Sequence, residues 1–120
     1  MFYVVSPPDR TDYQFERGRL ITLLQRDWPG IVVGGPRDQA DRDVVWTYRD
    51  PDGEIDGSQN RAGQAQYLEG PLPLVARFAA WLRRQVPAEQ PLMLYDESYS
   101  TVIPLSPHID EQQILQRLSG

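Results

Sequence analysis

The stretch VVWTYRDPDGEIDGSQ, from Val44 to Gln59, constrains the fold more than any other part of the chain. Val44 to Arg49 is β-branched and aromatic, the composition of a strand, and Glu54 to Gln59 can pair with it. Between them stands Asp50-Pro51-Asp52-Gly53. Proline presets φ at the second position of a turn, aspartate tolerates the third, and glycine takes positive φ at the fourth. A hairpin is therefore expected here. The same letters partly match a calcium loop, with Asp50, Asp52, Ile55 and Asp56 placed as ligands or spacers around Gly53. The ends of that cage are Tyr48 and Gln59, where it needs an oxygen ligand and a bidentate glutamate. The residues before it are strand-like where an EF-hand has a helix. The hairpin accounts for Pro51 and Gly53. It leaves the alternating acids Asp50, Asp52, Glu54 and Asp56 to line a binding edge.

The rest of the chain supplies partners for this hairpin. Met1 to Ser6 reads as a short strand closed by Pro7-Pro8. Tyr13 to Asp27 reads as a helix with Thr11 or Asp12 as N-cap and Phe15, Leu20, Leu24 and Trp28 near one face. Gly30 to Gly35 is a candidate buried strand, and Ala65 to Glu69 a short one. Pro71 opens a second helix over Leu72 to Val86, with Leu74, Phe78, Trp81 and Leu82 inward. Leu92 to Tyr95 and Tyr99 to Leu105 read as strands around Asp96-Glu97-Ser98. Asp110 with Gln113 resembles a capping box opening a last helix to Leu118. The order β-α-β-β-β-β-α-β-β-α predicts one α+β domain over residues 1–120, an antiparallel sheet of about five or six strands with two longer helices and a short C-terminal helix.

Charge carries the functional information. From Asp38 to Asp56, seven acids face two arginines, which accounts for the whole net charge of −5. Direct nucleic-acid binding would need a basic face and is not expected; the acidic run reads either as a solvated loop or as a surface for a basic protein partner. Cysteine and lysine are both absent, which removes thiolate, disulfide and Schiff-base chemistry. With arginine the only basic side chain, a surface selective for phosphates or carboxylates is conceivable, although genome composition explains it as well. Gly30, Gly34 and Gly35 lack the spacing of a phosphate loop. His108, the sole histidine, has no triad or metal partner in view and reads as a surface residue beside the last helix. No cofactor or metal is expected. No apolar run reaches the length of a membrane helix, and the N-terminus has no basic region of a secretory signal, so a cytoplasmic location is expected.

Two groups of residues stand out as a partner-binding surface. Tyr95, Asp96, Glu97 and Tyr99 surround the second tight turn. Adjacent carboxylates there would point to opposite faces of a strand, so a polar turn with an aromatic edge fits better than an acid–base pair. Tyr48, Asp50, Asp52, Glu54 and Asp56 form the acidic hairpin. Core packing is the default for Trp28, Trp46 and Trp81, but an exposed Trp46 beside the acids would serve as an interface anchor.

The second half, GPLPLVARFAAWLRRQVPAEQPLMLYDESYSTVIPLSPHIDEQQIL, resembles the small immunity proteins of bacterial polymorphic toxin and contact-dependent growth inhibition systems. The shared elements are a helix with FAAWLR, a strand ending in LYDESY, a VIPL strand, and a short helix introduced by a proline and an acid. The resemblance implies a non-enzymatic, cytoplasmic inhibitor that binds a cognate toxin domain and blocks its active site or substrate surface. An adaptor or chaperone-like module that binds without inhibiting is the alternative.

Overall fold

The computed structural model describes residues 2–34 and 41–120. Its elements run β1 (Phe2–Ser6), α1 (Arg17–Asp27), β2 (Val32–Gly34), β3 (Arg42–Asp50), β4 (Gly53–Asn60), β5 (Gln66–Glu69), α2 (Leu72–Gln85), β6 (Met93–Asp96), β7 (Val102–Pro104) and α3 (Glu111–Ser119). The chain is α+β, and the element order matches the sequence reading. The strands form one sheet in the order β2-β3-β4-β5-β1-β6-β7, with every neighbouring pair antiparallel. The N-terminal strand thus sits inside the sheet, between β5 and β6. Seven strands exceed the expected five or six. All seven stand in the expected element order; β2 and β7 are three-residue edge strands, each paired to a single neighbour. Pro104, which cannot donate to a ladder, lies on one of these edges.

The hairpin forms as the turn chemistry dictates. Asp50 pairs with Gly53 across a two-residue turn of Pro51 and Asp52. The Asp52 amide donates to Asp50 Oδ1 at 2.8 Å, and Gly53 takes φ 133°. A Cβ on Gly53 would also approach Pro71 Cγ to 2.9 Å, so the turn packs on the residue that opens α2.

All three helices cover the same side of the sheet. The core joins Leu20 and Leu24 of α1, Leu74, Phe78 and Leu82 of α2, and Ile114 of α3 to Tyr3, Val5, Val44, Trp46, Ile55, Leu68, Leu94 and Ile103 of the strands. These strand positions share one face, because successive residues alternate sides. Burial of this apolar layer is the main driving force for folding. Trp46 is 1% exposed and stacks on Phe78 at 5.5 Å between ring centroids. A Cβ on Gly57, directly opposite it in the ladder, would fall inside its indole. Trp46 is thus a core residue, and the idea of an exposed anchor there does not hold.

Three other elements differ from the sequence reading, the last being β7, which covers Val102–Pro104 and not the expected Tyr99–Leu105. Helix α1 begins at Arg17, not Tyr13, and its N-cap is Glu16, whose carboxylate accepts the Arg19 amide at 2.6 Å. The preceding residues are held extended by distant partners. Gln59 donates to the Phe15 carbonyl at 3.0 Å, the Phe15 amide to the Gly63 carbonyl at 2.7 Å, and Gln64 to the carbonyls of Thr11 and Tyr13. Strand β2 is an edge rather than a buried strand, with Val32 66% exposed. Gly35 and Asp38, parts of the expected strand and acidic run, lie outside the described residues.

Candidate functional site

The pleat divides the acidic hairpin between two faces. Trp46, Tyr48 and Asp50 lie on the helix side. Tyr48 is half-buried with its ring edge-on to Trp28 at 4.9 Å. Asp50 binds Arg77 of α2 at 2.5 Å, and this bond holds its carboxyl below the usual carboxylate range. These three residues fasten the hairpin to α2 and present little to a partner. Asp52 is exposed at the turn tip.

Glu54 and Asp56 project from the opposite face, which none of the three helices covers. Glu54 pairs with Arg49 at 2.6 Å, and Asp56 accepts the Thr47 hydroxyl at 2.7 Å. Asp56 also stands directly opposite Glu69 of β5 in the ladder. Like charges in that position repel, so this pair costs stability where water is the sole companion. The Glu69 side chain is exposed and makes no hydrogen bond or ion pair among the described residues.

Aromatic side chains extend this face toward β6. Val4 lies between Tyr67 and Tyr95, its partners across the two ladders. Phe2 meets the Tyr67 ring edge-on at 6.4 Å, and the Arg42 guanidinium lies 3.5 Å over the same ring. Tyr95 stacks on Tyr99 at 5.0 Å with 13° between planes, and its hydroxyl is 3.2 Å from Ser6 Oγ. Tyr99 adopts φ 60°, which strains a bulky residue, and stays 69% exposed. Glu97 joins the acidic end by accepting the Phe2 amide at 3.1 Å.

Asp96 plays a different part. It is buried on the helix side of β6 and organises the following loop. It accepts the Ser100 hydroxyl at 2.6 Å and the Ser100 amide at 2.9 Å, with Ser98 and Thr101 also donating. The Ser100 bond, helped by those of Thr101 and Ser98, holds its carboxyl below the usual range against the opposing effect of burial. Asp96 therefore shapes the Tyr95–Tyr99 stack and does not reach a partner itself.

The sequence-predicted residues thus separate. Asp52, Glu54, Asp56, Tyr95, Glu97 and Tyr99 stay accessible on or beside the face that carries no helix among the described residues. Trp46, Tyr48, Asp50 and Asp96 support it from behind. The sequence reading missed Tyr67 and Glu69, which the pairing of β4 with β5 brings beside Asp56, and Phe2, which the insertion of β1 between β5 and β6 adds.

A second feature lies on the helix side. A cleft of about 320 Å³ is bounded by Asp27 at the end of α1 and Trp28 just after it, Tyr48 of β3, Arg77, Trp81 and Arg84 of α2, and Glu111 of α3. Asp27 is pulled down to a pKa of about 2, chiefly by its bonds from Arg26 and then from the Trp81 indole. Among the described residues no group of three or more histidine, cysteine, aspartate or glutamate side chains is arranged to hold a metal ion. Among the described residues no helix is long and apolar enough to cross a membrane. His108 is exposed before α3. Comparison with protein-family models, curated proteins and solved structures gives no match.

Proposed function

We propose that this chain is a binding protein of the immunity type, a cytoplasmic, non-enzymatic inhibitor that neutralises a basic, nuclease-type toxin domain on the uncovered face of its sheet. The observation that carries this reading is the Asp56–Glu69 pair: two like charges in register on a face without a helix, beside Phe2, Tyr67, Tyr95 and Tyr99. A cationic side chain from a partner would sit between the two carboxylates and turn their repulsion into attraction. The aromatic strip supplies the amphipathic contact area that interfaces favour. Glu97 widens the acidic field, while Glu54 is balanced by Arg49, and the field steers a basic partner toward the face and adds specificity. Occupation of a toxin's basic substrate groove by this face would block its substrate.

The test is recovery and inhibition together. A tagged copy expressed in its native host at low salt should retain one small basic domain at equimolar ratio, and adding the purified chain should abolish that domain's activity. Reversing Glu54, Asp56 and Glu69 to lysine should weaken the complex by at least about tenfold and remove most of its salt dependence. Binding without inhibition would favour the adaptor reading. Unchanged affinity after charge reversal would remove this face as the site.

A further inference from the structure

The cleft on the helix side holds more hydrogen-bond donors than acceptors. Arg77, Trp81 and Arg84 recur at a spacing that places them along one stripe of α2. The neighbouring carboxylates are already engaged. Asp27 accepts Arg26 Nε at 2.7 Å, Arg26 Nη2 at 2.8 Å and Trp81 Nε1 at 2.8 Å. Asp50 accepts Arg77 on one oxygen and the Asp52 amide on the other. The donors are not exhausted. Arg77 Nε and Trp28 Nε1 are buried and have no acceptor. The Arg84 side chain is exposed and has no hydrogen bond or close ion pair among the described residues, although its charge acts on the Asp27 carboxyl across the cleft. Glu111 is the one lining carboxylate without a donor among the described residues, and it sits in the first turn of α3, where the helix dipole favours it.

The donor array is also held in place. The Arg77 guanidinium is fixed by Asp50 and lies 5.3 Å from the Trp28 ring centroid and 5.7 Å from that of Tyr48. Its side chain remains 35% exposed, so it can be approached from the cleft. A rigid guanidinium loses little freedom when it binds an anion, and its planar fork matches carboxylate and phosphate oxygens. The cleft volume lies at the small end of the range for small-molecule sites.

We propose that this cleft binds a small molecule through an oxyanion group, a carboxylate or a phosphate, held by Arg77 and Arg84. The site lies on the opposite side of the sheet from the acidic face, so either assignment can fail without the other. Glu111 opposes the anion and sets an upper limit on its affinity. Trp28 and Trp81 report binding from within the cleft, whereas Trp46 lies in the core and acts as an internal reference.

The test is a titration of the full chain with phenyl phosphate and with benzoate at constant ionic strength, followed by the indole N–H signals of the three tryptophans. At least one probe should shift Trp28 and Trp81 saturably while leaving Trp46 in place. Saturation by phenyl phosphate alone assigns a phosphorylated ligand, by benzoate alone a carboxylate, and by both an oxyanion site of either kind. Arg84→Gln, an exposed change, should weaken binding about tenfold, the loss of one charge-assisted hydrogen bond. Glu111→Gln should tighten it. The proposal is overturned if neither probe saturates, or if Arg84→Gln leaves the response unchanged.

Discussion

Replacing Arg83 by methionine should destabilise the protein by about 3 kcal/mol, although the change keeps the volume and removes a buried charge. Arg83 is 1% exposed. Nη1 donates to the Gln90 carbonyl at 2.8 Å and to that of Leu105 at 3.5 Å, and Nη2 to Pro87 at 2.6 Å and Val86 at 3.2 Å. One side chain thereby ties the end of α2 to the loop that leads into β6 and to the residue after β7. Burial pulls its pKa down, as desolvation of an ion should. Methionine avoids that desolvation, which favours the variant by several kcal/mol. It also withdraws the donor from carbonyls worth about 1–3 kcal/mol each, two of them at short distance. The second effect wins because the carbonyls stay in place around an apolar side chain. A loss near 3 kcal/mol is a large part of the roughly 5–15 kcal/mol that stabilises a domain, and should lower Tm by about 10 °C. Urea unfolding of this variant and of Arg84→Met provides the comparison. Arg84 is exposed, so its replacement should stay within about 0.5 kcal/mol of the parent. Equal midpoints for the two variants would refute the reasoning.

Other outcomes follow from the same geometry. Gly57→Ala should cost about 2 kcal/mol or more, seen in urea unfolding and in a changed near-ultraviolet signal of Trp46, because the new methyl group enters the indole's space. Asp110→Ala should cost about 1 kcal/mol, since Asp110 accepts the Gln113 amide at 2.8 Å while Gln113 returns a bond to the Asp110 amide; circular dichroism and unfolding midpoints check it. The carboxyls of Asp27, Asp50 and Asp96 are all lowered in the folded chain. Their contribution to stability is present above the unfolded carboxylate pKa and is lost as pH falls, for Asp27 through about 2. A pH series of unfolding midpoints should therefore fall below the ordinary carboxylate range, and Asp27→Asn should flatten that fall. Glu69→Gln should stabilise the isolated chain by a few tenths of a kcal/mol while weakening partner binding, a split that unfolding and titration measure separately.

What the sequence revealed was whatever local chemistry decides. Asp50-Pro51-Asp52-Gly53 closes a turn by its own φ preferences, and Asp110 with Gln113 caps a helix from within one turn. The apolar stripe of α2 and the proline before it likewise act locally. The start of α1 was hidden because Gln59 and Gln64, more than 40 residues away, take the backbone carbonyls of Thr11 to Phe15. The fate of Trp46 depended on Gly57 opposite it and Phe78 above it, neither of which marks it in the chain. The division of the acids was partly legible. Two-residue alternation places Glu54 and Asp56 together, and Trp46, Tyr48 and Asp50 together. Glu69 and Tyr67 join the first group through the register of β4 with β5, and Phe2 through the pairing of β1 with β5, a long-range choice that no local pattern encodes. The cleft was hidden for the same reason, since its walls come from both longer helices, β3 and α3.

The central claim is that the uncovered acidic and aromatic face takes a basic partner. Amide chemical-shift mapping of the labelled chain with its recovered partner tests it most directly. The account predicts perturbations centred on Glu54, Asp56, Tyr67, Glu69, Tyr95 and Tyr99, with α1 and α2 unchanged, and their disappearance when Asp56 and Glu69 are reversed to lysine. Perturbations centred on the helices, or a footprint that survives the reversal, would contradict it.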